Sequence, residues 1–194
     1  PDLADGYNNL AYLYSITQRF TESEQMNKAA LEIRKRLAKS NPQVYEPDLA
    51  STYSNLAILH SNTQHFAKSE QMFKSALEIR KRLSDSNPQA YEPDLATSYS
   101  NLAELYRQTQ RFTESEKMHM AAFEIFKQLA DANPQVYEPH LAATDYNLAN
   151  LYYNTQRFTE SEQMYKDAVD IYKRLANANP QTYEPALAAT YESL

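Results

Sequence analysis

Four kinds of side chain in this sequence have the means to do chemistry, and their spacing disposes of three. His60, His65, His119 and His140 share no common interval, so they form neither a metal-ligand pattern nor a pairing for general acid and base work. Acid pairs such as Glu22/Glu24 return as Glu114/Glu116 and Glu160/Glu162 at helix starts, where a repeated acid serves the helix end rather than a reaction. The basic runs Arg34-Lys35-Arg36 and Arg80-Lys81-Arg82 read as solvated, ion-paired faces. With Cys absent there is no thiol nucleophile or thiolate ligand, and neither a catalytic residue, a metal nor a cofactor is expected. What is left is one carboxamide. Asn9, Asn55, Asn101 and Asn147 each open the phrase Asn-Leu-Ala-x-Leu, 46 residues apart. A carboxamide donates and accepts hydrogen bonds without carrying charge, so four at a fixed interval form a ladder able to hold an extended backbone. The same amides serve equally well as bonds between adjacent units, and the sequence leaves both readings open.

The elements that position this ladder follow from the period. Pro1, Pro47, Pro93, Pro139 and Pro185 mark the same point of successive units, giving repeats 1–46, 47–92, 93–138 and 139–184 and the opening of a fifth at 185–194. A fixed period of this size means an array in which each unit buries its apolar face on its neighbours, one domain over 1–194, and we read the chain as a piece of a longer array. Each unit predicts two helices. Helix A starts at Glu46-Pro47-Asp48, with proline at the first helical position, carries Leu49, Tyr53, Leu56, Ala57 and His60 on one stripe, and ends near Thr63-Gln64. Helix B starts just after Phe20, with Thr21 and Glu24 as a capping box that recurs at Thr113/Glu116 and Thr159/Glu162. Its core stripe is Met26, Ala30, Ile33 and Leu37, it carries i,i+4 pairs such as Glu78 with Arg82 and Asp170 with Arg174, and it stops at Asn41-Pro42. Asn41 to Pro47 is then a stiff connector with Tyr45 packed down as an anchor, as are Tyr91, Tyr137 and Tyr183.

Composition agrees with an all-α fold. One glycine in 194 residues leaves no room for phosphate-cradling loops or many tight strand turns, and the nine prolines fall at the joints. A net charge of −6 argues against nucleic acid or an anionic membrane as partner. Neither a membrane-length apolar run nor a signal peptide is visible, and the lack of Cys suits a reducing compartment, so a cytoplasmic location is expected.

The succession Asn-Leu-Ala-x-Leu-Tyr, Gln-Arg-Phe, Glu-Ser-Glu-x-Met and Ala-Leu-Glu-Ile-Arg resembles the tetratricopeptide repeat, most of all the longer variety of kinesin light chains and many bacterial proteins, over the whole chain. Leu10, Ala11, Tyr14, Phe20 and Ala30 stand at its signature core positions. The usual small residue early in helix B is Ser23, Ser69, Ser115 and Ser161, the usual mid-helix glycine is alanine, and the connector is longer. The resemblance implies a right-handed superhelical solenoid of antiparallel helix pairs, with A helices lining a concave groove for peptides or partner proteins, and no catalysis in the repeats.

If Leu49, Tyr53, Leu56 and His60 face the core, the neighbouring stripe Ser51, Asn55, Ile58 and Asn62 faces that groove. Its counterparts are Asp5, Asn9, Tyr12, Ile16; Thr97, Asn101, Glu104, Gln108; and Ala143, Asn147, Asn150, Asn154. Fixed amides beside varied neighbours suit a surface that holds a backbone and selects side chains, with Tyr12, Tyr146 and Tyr153 as flat contact surface. In related repeats the matching Asn contacts peptide backbone. Related repeats that grip a terminal carboxylate use Lys and Arg on this stripe, and here Arg107 is the nearest cation on an A helix, so such a clamp is not expected. Position 27 varies as Asn27, Phe73, His119 and Tyr165, the pattern of a core site adapting to its neighbours or of a groove floor. Asp145 replaces Tyr7, Tyr53 and Tyr99, either because the helix is displaced with Tyr146 compensating or because a charged site stands there. The expected function is protein or peptide binding in the groove; the alternative is a scaffold or spacer arm of a larger signalling protein. End-to-end self-association through the stripes of Leu3, Tyr7, Leu187 and Tyr191 is also expected.

Overall fold

A computed structural model of the protein describes residues 2–194, so Pro1 and its place as the first repeat marker lie outside the described residues. These residues form nine helices and no strand: α1 (Asp2–Ile16), α2 (Phe20–Ser40), α3 (Pro42–Asn62), α4 (Phe66–Ser86), α5 (Pro88–Gln108), α6 (Phe112–Ala132), α7 (Pro134–Asn154), α8 (Phe158–Ala178) and α9 (Pro180–Ser193). A helices alternate with B helices as expected. Contacts group the chain into two compact units, one reaching to Leu105 and one running from Tyr106 to Leu194. In the first, α2 packs on both α1 and α3, and α4 on α3; in the second, α7 packs on α6 and α8, and α8 on α9.

The A helices begin five residues earlier than Pro47 implied. α3 starts at Pro42, so the seven-residue connector is helical except for Asn41, and α5, α7 and α9 start at the equivalent Pro88, Pro134 and Pro180. Asn41, at φ −149° and ψ 88°, is extended because a proline follows it, and this single residue both closes α2 and opens α3. Pro47 is tolerated inside α3 because its missing N–H leaves only the carbonyl of Gln43 unbonded, and Gln43 is exposed to water. Tyr45 and Tyr91 do pack on the core of Leu49, Leu56 and Leu83, and Tyr183 on that of Ala168 and Ile171.

The expected capping boxes do not form. The B helices start at Phe20, Phe66, Phe112 and Phe158, one residue before the cap position proposed for Thr21, and α2, α4, α6 and α8 have no side-chain cap. The turn before them dictates this. Gln18, Gln64, Gln110 and Gln156 adopt φ of 58 to 61°. The N–H of Arg19 reaches back to the Tyr14 carbonyl at 2.8 Å and that of Gln18 to Ser15 at 3.0 Å, the paired bonds of a Schellman C-cap with glutamine where glycine is usual. The side chains flanking the motif also meet: Arg19 lies over the Tyr14 ring, Arg111 over Tyr106 and Arg157 over Tyr152, at 4.1 to 4.2 Å. In the second repeat both partners change together, and His60 and His65 meet edge to face at 6.0 Å. Each of these arginines also pairs with an acid of the following first turn, Arg19 with Glu22, Arg111 with Glu114 and Arg157 with Glu160.

In α2 burial is deepest one residue away from most of the expected stripe, whereas in α4 and α8 the stripe's Ile79, Leu83, Ile171 and Leu175 are buried as expected. Met26, Ile33 and Leu37 are half-buried, whereas Ser23, Asn27, Ala30, Arg34 and Ala38 are the deepest, and their counterparts in α4, α6 and α8 are buried too. α2 packs on α1 and α3, and α8 on α7 and α9, so on these helices the line between the two contacts is the one sealed from water. Small residues allow close approach there. The hydroxyls of Ser23, Ser69 and Ser161 donate at 2.8 Å to the carbonyls of Ala11, Ala57 and Ala149, fastening B to A within a pair.

Position 34 joins successive repeats, and it corrects the reading of the basic runs as solvated. Arg34 is 6% exposed and donates to the Asp48 carbonyl at 2.9 Å, to Thr52 Oγ1 at 2.5 Å and to Asp5 at 2.5 Å. Arg80 is buried against Ser98 at 2.7 Å, and burial pushes its pKa down against the opposing pull of Asp94. In the later repeats an aromatic stands there instead: Phe126 stacks on His140 at 5.1 Å, and Tyr172 packs beside Ala186 and Leu187. Arg82 and Arg174 also leave their expected i−4 partners and bind Glu46 and Glu138 on the paired A helix, both at 2.7 Å.

Glutamine at positive φ carries a steric cost that glycine avoids. Gln64→Gly is expected to stabilise the protein by about 0.5–1 kcal/mol and Gln64→Val to destabilise it by more than about 1 kcal/mol, read from the urea midpoint. A neutral glycine variant would count against the strained-turn account.

Candidate interaction groove

In the first unit the exposed stripes of α1 and α3 meet over α2 and leave a pocket of about 350 Å³. Its walls are Ala11 and Tyr12 from α1 and Asn55, Ile58, Leu59 and Asn62 from α3; its floor is Ser23 and Asn27 of α2. Four residues read from the sequence as groove residues, Tyr12, Asn55, Ile58 and Asn62, therefore share one concavity. Tyr12 and Ile58 are 68% and 43% exposed. Asn9 lies exposed on α1 outside the pocket lining.

The floor meets both expectations for position 27, since Asn27 is a core site that also lines the pocket. Asn27 is 3% exposed and its Oδ1 has no hydrogen-bond partner. Its counterparts Phe73, His119 and Tyr165 are equally buried, so position 27 is a core site, and the pocket exists where a short amide replaces a ring. The signal was present in the sequence as that one exchange. Leu10, assigned to the core, is 41% exposed, unlike Leu56, Leu102 and Leu148 at 0 to 2%, which face a preceding B helix.

Further along, Asn101, Glu104 and Arg107 on α5 are half-buried and Gln108 is exposed. In the second unit Asn147, Tyr153 and Asn154 are exposed, and Tyr153 meets Phe158 edge to face at 5.7 Å. Asn150 is committed to the scaffold. Its Nδ2 donates to the Tyr146 carbonyl and its Oδ1 accepts from the Tyr165 hydroxyl, both at 2.9 Å. Among the described residues no three His, Cys, Asp or Glu side chains converge as a metal site requires, and no helix is long and apolar enough to cross a membrane.

Helix pairs repeated at 46 residues, with alanine and serine at the inner contacts, define a helical-repeat protein. The tetratricopeptide repeat model matches residues 2–82, and a second model of the same repeat matches 95–134 and 142–181. The chain belongs to the tetratricopeptide-repeat family. Among solved structures it is similar to BtubC (BKLC) from P. vanneervenii, 26% identical over 99% of this chain and 73% of that one, with a TM-score of 0.75. It is also similar in fold to the apo form of RapI (16% identity, TM-score 0.74, 91% of this chain and 58% of that one). A third is aspartyl phosphate phosphatase F from Bacillus subtilis (12%, 0.73), of which it covers 41% with 89% of its own length. No curated protein sequence matches it significantly.

Asp145 is the sharpest electrostatic feature beside the groove. It is 2% exposed with Oδ1 unpartnered, while Tyr146 packs on the core of Ala142, Ala168 and Ile171 in place of the tyrosine that other repeats carry one residue earlier. Burial first, then Asp167, raises its carboxyl from 3.8 to about 8, with Lys127 opposing. The unfolded chain releases this proton near the ordinary value and the folded chain near pH 8, so the contribution of Asp145 to stability is full below pH 4 and is lost as pH rises to 8. Asp145→Asn is expected to abolish that decline, a few kcal/mol if fully expressed, as measured by urea unfolding from pH 4 to 9. An unchanged slope would assign the pH dependence to other groups.

Proposed function

We propose that this chain is a protein-interaction module whose A-helix face holds an extended segment of a partner protein. The observation that carries the reading is the state of the amide ladder. The carboxamides of Asn9, Asn55 and Asn147 are exposed and hydrogen-bond no other described residue. Amides that served as bonds between repeats would be spent on the scaffold, as Asn150 is. These instead keep two N–H donors and two acceptor lone pairs available, which matches the alternating N–H and C=O of an extended chain. Tyr12, Ile58 and Tyr153 offer apolar area beside them, and each repeat changes the neighbours while keeping the amide. The alternative, a spacer arm whose asparagines are structural, lacks that support.

Peptide-display selection tests this against the protein and the triple variant Asn55→Ala, Asn101→Ala, Asn147→Ala, with folding checked by circular dichroism. A consensus peptide that the folded variant no longer binds is the expected result. No enrichment, or equal binding by the variant, would sink the groove reading.

A further inference from the structure

The pocket over Asn27 has a chemistry of its own. No charged residue lines it, so an acidic or basic side chain would give up its hydration there without a counter-charge. Its polar lining is amide and hydroxyl, from Asn8, Asn27, Asn55, Asn62 and Ser15, while Ala11, Tyr12, Ile58 and Leu59 make the larger part of the lining apolar. Ser23 is already occupied, since its hydroxyl donates to the Ala11 carbonyl. Asn27 is not: it sits at the bottom, 97% removed from solvent by its 3% exposure, with its oxygen orphaned. An aliphatic or aromatic occupant would leave it so, at a cost that a hydrogen-bonding occupant removes.

Elsewhere the chain shows what this register demands. In the fourth repeat the equivalent position is Tyr165, whose ring fills the space and whose hydroxyl donates to the amide of Asn150 across the pair. In the first repeat the two residues are exchanged, with Tyr12 on the A helix and Asn27 beneath it. The amide has gone to the floor and the ring has moved out to 68% exposure, so the polar contact that closes the fourth repeat is missing its second member here.

We infer that this pocket is a subsite for the uncharged carboxamide of a glutamine or asparagine side chain carried by the bound segment. The inference rests on the reading of the A-helix face as a groove. A primary amide both donates and accepts, so it pairs with Asn27 whichever end of that amide faces the pocket, and its methylene stem lies along Ile58 and Ala11 under the Tyr12 ring.

Three blocked pentapeptides, Ac-Ala-Ala-Xaa-Ala-Ala-NH2 with Xaa as Gln, Glu or Met, keep length and shape nearly constant while changing charge and polarity. Titrated into 15N-labelled protein, the Gln peptide is expected to shift the resonances of Ala11, Asn27 and Ile58 and to bind about tenfold tighter than the Met and Glu peptides. Asn27→Leu, branched at the same carbon but without hydrogen-bonding atoms, should erase that preference. Asn27→Phe, the side chain the second repeat carries at this position, should close the pocket to all three. Equal or tighter binding of the Met peptide, no shift with the Gln peptide, or a Gln preference that survives Asn27→Leu each overturns the subsite. The display selection separates the two failures. A consensus without Gln or Asn that is still lost in the triple asparagine variant leaves the groove standing and removes the subsite, whereas no consensus at all removes both.

Discussion

The closeness with which α2 approaches α1 and α3, and α8 approaches α7 and α9, governs the packing inside each unit. Ala30, Ala76, Ala122 and Ala168 are fully buried, and two turns earlier Ser23, Ser69 and Ser161 donate to an alanine carbonyl of the partner helix. A larger residue at either place would push the axes apart beyond the usual packing distance and break that bond. On α2 the large apolar residues Met26, Ile33 and Leu37 lie half-buried beside the line of these small residues, whereas in α4 and α8 Ile79, Leu83, Ile171 and Leu175 are buried with it. Whatever is polar and falls on the line is sealed in and has to be satisfied there. Arg34 achieves this with three oxygens, while Asn27 does not.

Two backbone constraints set how the pairs are strung. One is a glutamine held at positive φ, which turns A into B; the other is an asparagine held extended by the proline after it, which turns B into the next A. The second was legible, since Asn-Pro ends a helix by sterics alone. The first was not, because glutamine gives no signal for a left-handed turn; with glycine there, the C-cap would have been evident and the capping boxes would not have been inferred from Thr21 and Glu24. Pro47 misled for a related reason. A proline marks a helix start only when nothing upstream can be helical, and here its cost falls on one solvated carbonyl.

The period, the helix pairing and the anchoring tyrosines were readable because apolar spacing and proline placement are local properties. The groove was half readable: the stripe that placed Asn55, Ile58 and Asn62 together follows from helical periodicity, and Tyr12 joins them by repetition. Burial of charge was not readable. Arg-Lys-Arg looks like a solvated run, and only the approach of α1 and α3 from both sides shows that its first member is interior. The commitment of Asn150 to Tyr165 likewise depends on a partner fifteen residues away whose own position varies among repeats.

The junction at position 34 has a consequence for the array as a sequence of parts. Arg34 is matched to Asp48 and Thr52, Arg80 to Asp94 and Ser98, Phe126 to His140, and Tyr172 to Ala186 and Leu187. The helix pairs look interchangeable in outline, yet each carries half of a lock whose other half lies on its successor. Placing the third pair after the first would set a guanidinium against Asp94 and Ser98 and keep both its acid and its hydroxyl, whereas placing the fourth there would leave it the hydroxyl of Thr144 and set a histidine where the acid was. The order of the repeats is thus written into the molecule chemically, and its parts have a grammar as well as a shape.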